Sequence, residues 1–219
     1  MRTELGTRIG RIATVVAACA MLGILTTAQA DTTALIDWSN ASSAVNPDSN
    51  GNYWTTVGIT KQGLATATSA NLISSDNGTT PWDVTVNIVN ASSGFGGTGI
   101  NGNTGPAPFD QSFAVIDGIF SGAAGTATVA TITFADLKPN RLYRFSAIGG
   151  RASNQTDGTI TVTTGTGTGG TLKEDGTILD FNVTSDASGT IGFTFSVYGA
   201  TFNALSITEA PAGTVIMIQ

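Results

Sequence analysis

An all-β fold, an antiparallel β-sandwich, is what this chain predicts, and three observations carry it. Apolar and polar residues alternate over short runs, the period-two pattern of half-buried strands. Gly, Asn, Asp and Pro cluster between those runs, where turns need a positive or a fixed φ. No long stretch carries the 3.6-residue apolar period and charged helix formers of an amphipathic helix.

The strands follow in order. Leu35–Trp38 reads as the first. Asp83–Val89 places Val84, Val86 and Ile88 on one face, with Thr85 and Asn87 opposite. Thr128–Phe134 turns Ala130, Ile132 and Phe134 inward, and Arg141–Ile148 puts Tyr143 and Phe145 on one core face. Thr159–Thr163 sets Ile160 beside Val162. In Thr177–Val183, Ile178 and Phe181 have opposite parity, so this strand either bulges or is covered on both faces. Thr190–Val197 is the clearest alternation, with Ile191, Phe193, Phe195 and Val197 on one side. Phe202–Thr208 closes the series. Turn clusters separate the runs: Asn46 to Asn52, Asp76-Asn77-Gly78, Lys138-Pro139-Asn140 and Gly165 to Gly170. About ten short strands at this spacing make a sandwich. The loop Gly94–Pro108 exceeds an ordinary connection and reads as a functional surface loop or an insertion. No composition break and no fixed-period repeat divides the chain.

The first 30 residues read as an export signal. Arg2, Arg8 and Arg11 precede an uncharged apolar run, Ile12–Leu25, and Ala28-Gln29-Ala30 offers a small-x-small cleavage site. The apolar run is shorter than the ~20 residues of a membrane-spanning helix, so no membrane span is expected after cleavage. The organisation expected is a signal peptide at 1–30, a β-sandwich domain at 31–210 and a tail or added strand at 211–219. The location expected is outside the cell, secreted or at its surface.

Charge and missing residue types narrow the chemistry. The whole chain carries a net charge of −6. Beyond residue 30, six Lys and Arg face fourteen Asp and Glu, a net charge of −8. Such a surface repels phosphate backbones and anionic lipid, so nucleic acid is not an expected partner. The single cysteine, Cys19, lies in the signal, and the chain has no His. Disulfides, thiolate metal sites and a Ser-His-Asp arrangement are thereby excluded from the mature chain. It has two Glu, Glu174 and Glu209, the latter in the tail; a glycosidase could use two Asp, but none stands in a persuasive context, and no enzyme is expected.

A stretch in the second half resembles a known family. Phe134-Ala135-Asp136-Leu137-Lys138-Pro139-Asn140-Arg141-Leu142-Tyr143-Arg144-Phe145, with Gly149-Gly150-Arg151, is similar to secreted bacterial domains of the galactose-binding-like jelly-roll type. Asp117-Gly118-Ile119-Phe120, Asn203-Ala204-Leu205-Ser206-Ile207 and the opening Leu35-Ile36-Asp37-Trp38 fit the same pattern. The Leu-x-Pro-x-x-x-Tyr-x-Phe element also occurs in fibronectin-type sandwiches. The resemblance spans most of residues 34–208 and implies an eight-stranded jelly roll with extra strands. Such modules bind carbohydrate or accompany carbohydrate-active and surface proteins. Two features depart from similar proteins: no catalytic domain follows, and the tail lacks a sorting signal.

Candidate residues follow from these expectations. Sugars stack on exposed aromatic rings while amides and carboxylates hold their hydroxyls. Trp54 and Trp82, at loop ends, are the expected stacking residues, with Tyr53 beside Trp54. Arg151, in a polar stretch with Asn154, offers a two-pronged grip on vicinal hydroxyls or a carboxylate; the plainer reading is a salt bridge pinning the loop. Asp48, Asn50 and Asn52 alternate as the oxygen ligands of a calcium loop do, although Ile59 stands where the closing Glu belongs. A structural calcium is therefore the only cofactor entertained, and ordinary turn chemistry explains the same residues. Thr-x-Thr pairs at Thr66–Thr68 and Thr161–Thr163 suit an ice-binding surface, but strand alternation accounts for them and no coil repeat supports more. The function expected is a non-catalytic binding module for extracellular polysaccharide or another glycan. The alternative is a structural surface or matrix protein that self-associates.

Overall fold

A computed structural model of the protein describes residues 31–39, 44–58, 66–89, 105–116, 118–120, 128–150, 156–196 and 199–211. The export segment, most of the Gly94–Pro108 loop, Arg151, Asn154 and the tail beyond 211 lie outside the described residues. The described strands, in chain order, are β1 (Thr33–Ser39), β2 (Trp54–Gly58), β3 (Thr66–Ser69), β4 (Asp83–Ile88), β5 (Ile119–Phe120), β6 (Thr128–Ala135), β7 (Leu142–Ile148), β8 (Gly158–Thr164), β9 (Thr166–Gly167), β10 (Gly170–Leu172), β11 (Leu179–Thr184), β12 (Ile191–Ser196), β13 (Thr201–Phe202) and β14 (Ala204–Glu209).

They form a two-sheet sandwich. Sheet A has the order β2-β1-β14-β7-β11-β9, sheet B the order β10-β8-β12-β6-β4-β3, and β13 pairs with β5 as a short ribbon. From β6 to β12 successive strands alternate between the sheets. The pairing is antiparallel except at one edge, where β2 runs parallel to β1 with Leu35 opposite Trp54. That departs from the antiparallel expectation. The connection from Ser39 to Trp54 is long enough to carry the chain back to the same end, as a parallel pair demands.

The alternating apolar positions meet between the sheets. Phe145 of sheet A stacks on Phe181 at 5.2 Å and meets Phe193 of sheet B edge-on at 5.7 Å. Trp82 lies edge-on against Tyr143 at 5.6 Å. Tyr143 explains the Leu-x-Pro-x-x-x-Tyr element: its hydroxyl accepts the Lys138 backbone N–H at 2.9 Å and ties the β6–β7 turn to the strand that follows. This is the tyrosine-corner device of β-sandwiches. Leu137 is buried beneath the turn, and Asn140 takes a positive φ of 54°.

Two expectations are refined. β11 keeps an unbroken register with β7 from Leu179 to Thr184, so it does not bulge there. Ile178 precedes the strand and packs against a second apolar cluster, while Phe181 enters the main core; both faces are covered at that end. The closing run divides at Asn203 into β13 and β14.

The second cluster sits on the outer face of sheet A. Leu35, Trp54, Ile148 and Ala204 have the parity opposite to the main core, and Phe109, Phe113, Ala114 and Val115 cover them. The last three belong to a single helical turn, Phe113–Ile116. One end of sheet A is thus buried on both faces. Its remaining outer surface is left to the outward residues of β7, β11 and β14.

Candidate binding face

The two expected stacking residues are core residues. Trp54 is 1% exposed and Trp82 2% exposed, so neither ring presents a face to a sugar. Trp54 meets Phe113 and Phe109 edge-on at 5.3 and 6.2 Å. Trp82 fills the main core against Tyr143. Tyr53 is half-buried, and its backbone N–H bonds to the Ser75 carbonyl at 3.0 Å. Polar turns before an aromatic residue here bury it instead of displaying it.

The loop Asn46–Asn52 shows why. The Asn46 carboxamide bonds both backbone groups of Trp54, accepting its N–H at 2.8 Å and donating to its carbonyl at 2.9 Å. Asp48 is buried and accepts from four N–H groups. Its Oδ1 takes the Asn50 and Asn52 backbone N–H groups, each at 2.8 Å. Its Oδ2 takes the Trp54 indole N–H at 2.8 Å and the Asn52 amide at 3.3 Å. Burial works against the charge on Asp48. The bonds from Trp54, Asn52 and Asn50 outweigh it and hold the carboxyl below its usual range.

These residues are bonded to their neighbours. Asn50 turns its Nδ2 toward both Asp110 oxygens, at 2.9 and 2.8 Å, and Asn52 turns its Nδ2 toward Asp48. Both amide nitrogens are thus aimed at carboxylates. The hydrogen bonds that Asp48, Asn50 and Asn52 make are those of ordinary turn chemistry.

The surface that does gather polar side chains was not singled out from the sequence. It is a groove of about 440 Å³ on the outer face of sheet A, lined by Arg144, Ser146, Asp180, Asn182 and Thr208 above Phe145 and Phe181. Strand register places these residues. Arg144 lies opposite Asn182 on one side and Thr208 on the other, and Ser146 lies opposite Asp180. The Ser146 hydroxyl donates to Asp180 Oδ1 at 2.6 Å. Arg144 and Asn182 are exposed. Among the described residues, Lys138 and Arg141 pair with Glu209, and Lys173 pairs with Asp157. The Arg144 guanidinium makes no ion pair or hydrogen bond among them. The alternation of Arg144 and Ser146 with Tyr143 and Phe145 was the signal that could have marked this face.

Comparison with protein-family models, with curated proteins and with solved structures gave no match.

Proposed function

We propose that this protein is an exported, non-catalytic module of galactose-binding-like jelly-roll type that binds neutral extracellular glycan in the sheet A groove. The observation that carries the reading is Arg144, an exposed guanidinium with no acidic partner among the described residues, set between Asn182 and Thr208. A planar fork of N–H donors matches adjacent sugar hydroxyls, which can in turn donate to Asp180. These groups stand on paired strands, so little ordering is needed on binding. Asp180 and the net charge of −8 beyond residue 30 disfavour polyanionic chains, which selects uncharged sugars. The one hydroxyl–carboxylate contact in the groove is Ser146 on Asp180, and the chain has no His to act as a base near neutral pH.

Calorimetry against neutral oligosaccharides, with a uronate polymer as contrast, tests the reading. Arg144→Ala should weaken binding about tenfold or more, since charge-assisted hydrogen bonds contribute about 1.5–3 kcal/mol. Asn182→Ala should weaken it less. Failure of every neutral glycan to bind, or binding indifferent to both variants, would overturn the proposal.

A further inference from the structure

The opposite face of the molecule has a different chemistry. The six strands of sheet B contain one ionisable residue, Asp83, whose Oδ1 accepts the Asn71 N–H at the rim. Their outward positions are mostly threonine, and the pairing brings them into register. Thr66, Asn87, Thr131, Thr194 and Thr161 form one row across five strands. Thr68, Thr85 and Thr133 form a second row that continues to Gly192. A methyl at Gly192 would stand 3.1 Å from the hydroxyls of both Thr163 and Thr164, so neighbouring threonines close that gap. The chain has no sequence repeat, yet strand pairing gives this face a two-dimensional one. Neighbours within a row are about 4.8 Å apart and successive rows about 6.7 Å apart.

We propose that the threonine face of sheet B binds ice. Each threonine carries one hydroxyl and one methyl on a stiff χ1, and on the β3–β4 side Thr68 bonds Thr85 at 3.0 Å and Thr66 bonds Asn87 at 3.2 Å, so the array is ordered before any contact is made. Hydroxyls at these two repeats can hold water molecules in positions that continue into a hexagonal ice surface, whose repeat distances are of similar size. The methyl groups between them confine that water without competing for its hydrogen bonds. An uncharged face suits an uncharged lattice, whereas a charged side chain would bind water in its own geometry.

Other occupants fit less well. The face measures about 24 Å across the strands and roughly 17–20 Å along them, near 400 Å². A stable protein dimer buries about 800 Å² of accessible surface per partner, and a second copy is an outcome the test below separates. A crystalline polysaccharide would call for exposed aromatic rings to stack on, and the outward positions of the described sheet B strands have none. Strand twist turns the sheet edges away from any plane. Thr85, Thr131, Thr133 and Thr194, near the middle, therefore carry the match, and Thr171 at the edge does not.

The test is inhibition of ice recrystallisation, with thermal hysteresis as a second readout, on the chain from Asp31 to Gln219. The expected result is that grain growth stops at micromolar protein and resumes with Thr131→Lys or Thr194→Lys. Thr131→Val, which keeps the shape and removes one hydroxyl, should weaken inhibition, while Thr171→Lys and Arg144→Ala should leave it intact. Circular dichroism on each variant shows that the sandwich persists. Grain growth equal to that with a non-binding control protein would overturn the proposal. So would inhibition that survives both lysine variants, a dimer in light scattering that Thr131→Lys dissolves, or co-sedimentation with crystalline cellulose lost in that variant. Because Arg144→Ala leaves this face untouched, failure here and failure of glycan binding are separate results.

Discussion

Asp48 shows how one side chain decides what a polar loop is for. Two of its bonds reach backbone N–H groups, one reaches a side-chain amide, and one reaches the indole N–H of buried Trp54. Truncation leaves that indole donor with no acceptor, since its ring is 1% exposed. Asp48→Ala should cost about 2–4 kcal/mol, the range for losing charged hydrogen bonds and stranding a buried donor. Urea unfolding would show a lower midpoint at unchanged slope. A loss under about 0.5 kcal/mol, as for an ordinary surface change, would refute the role. The turn itself was legible in the sequence. Its purpose was not, because Asp-x-Asn-x-Asn suits both a cation and a run of N–H donors. The burial of Trp54, set by distant residues, selects the second. Trp82 differs from expectation for a related reason: its place beside Pro81 marks a loop end, whereas its side chain fills the main core against Tyr143.

Elements with alternating apolar residues were readable, and very short or irregular ones were not. β4 alternates throughout, and β6, β7 and β12 over most of their length, because one side there meets the core and the other faces solvent. β2 does not alternate, since the second cluster covers what would be its outer side. β9 is Thr-Gly and buries neither residue, so composition alone marks it as turn. The helical turn Phe113–Ile116 is too short for any periodic signal, yet it closes the outer cluster. Phe113 is 8% exposed and stands edge-on to Trp54 at 5.3 Å. Phe113→Ala should therefore cost about 3 kcal/mol or more, as for other buried Phe truncations. It should also shift tryptophan emission to longer wavelength as water reaches Trp54. The shift should vanish in a Trp54→Phe background, which separates it from Trp38 and Trp82. An unchanged emission maximum would mean that the helical turn does not seal this cluster.

At the scale of the molecule, the two faces of the sandwich divide the charge. The strands of sheet A carry Asp37, Arg144, Asp180 and Glu209, and those of sheet B carry Asp83 alone. The linear sequence shows the alternation in β7 and the Thr-x-Thr pairs, but not the groove or the threonine rows they build, because both depend on which strands lie side by side. The response to pH follows from where the carboxylates are held. Asp48, Asp76, Asp157, Asp175 and Asp186 all have their pKa lowered. Hydrogen bonds from Ser74, Lys173, Thr177 and Ser188 lead at the last four, and at Asp48 the bonds overcome burial. A carboxyl whose folded pKa is depressed stabilises the fold above its unfolded value, about 3.9 for Asp, and loses that contribution as pH falls through the folded value. Tyr143 works at the other limit. Burial raises its pKa despite the Lys138 N–H bond, so its contribution is present below about pH 10 and lost as pH rises through the folded value. Between these limits no His titrates, and the net charge of −8 beyond residue 30 leaves self-repulsion that salt can screen. Thermal melting should therefore show stability falling below about pH 4 and again above about pH 10. Added salt should raise the melting temperature at neutral pH. Tyr143→Phe should abolish the alkaline limb and leave the acid limb in place. An alkaline limb that survives this variant would assign it to a group other than the tyrosine corner, and an acid limb absent down to pH of about 2 would show that the Asp-held turns contribute nothing to the fold.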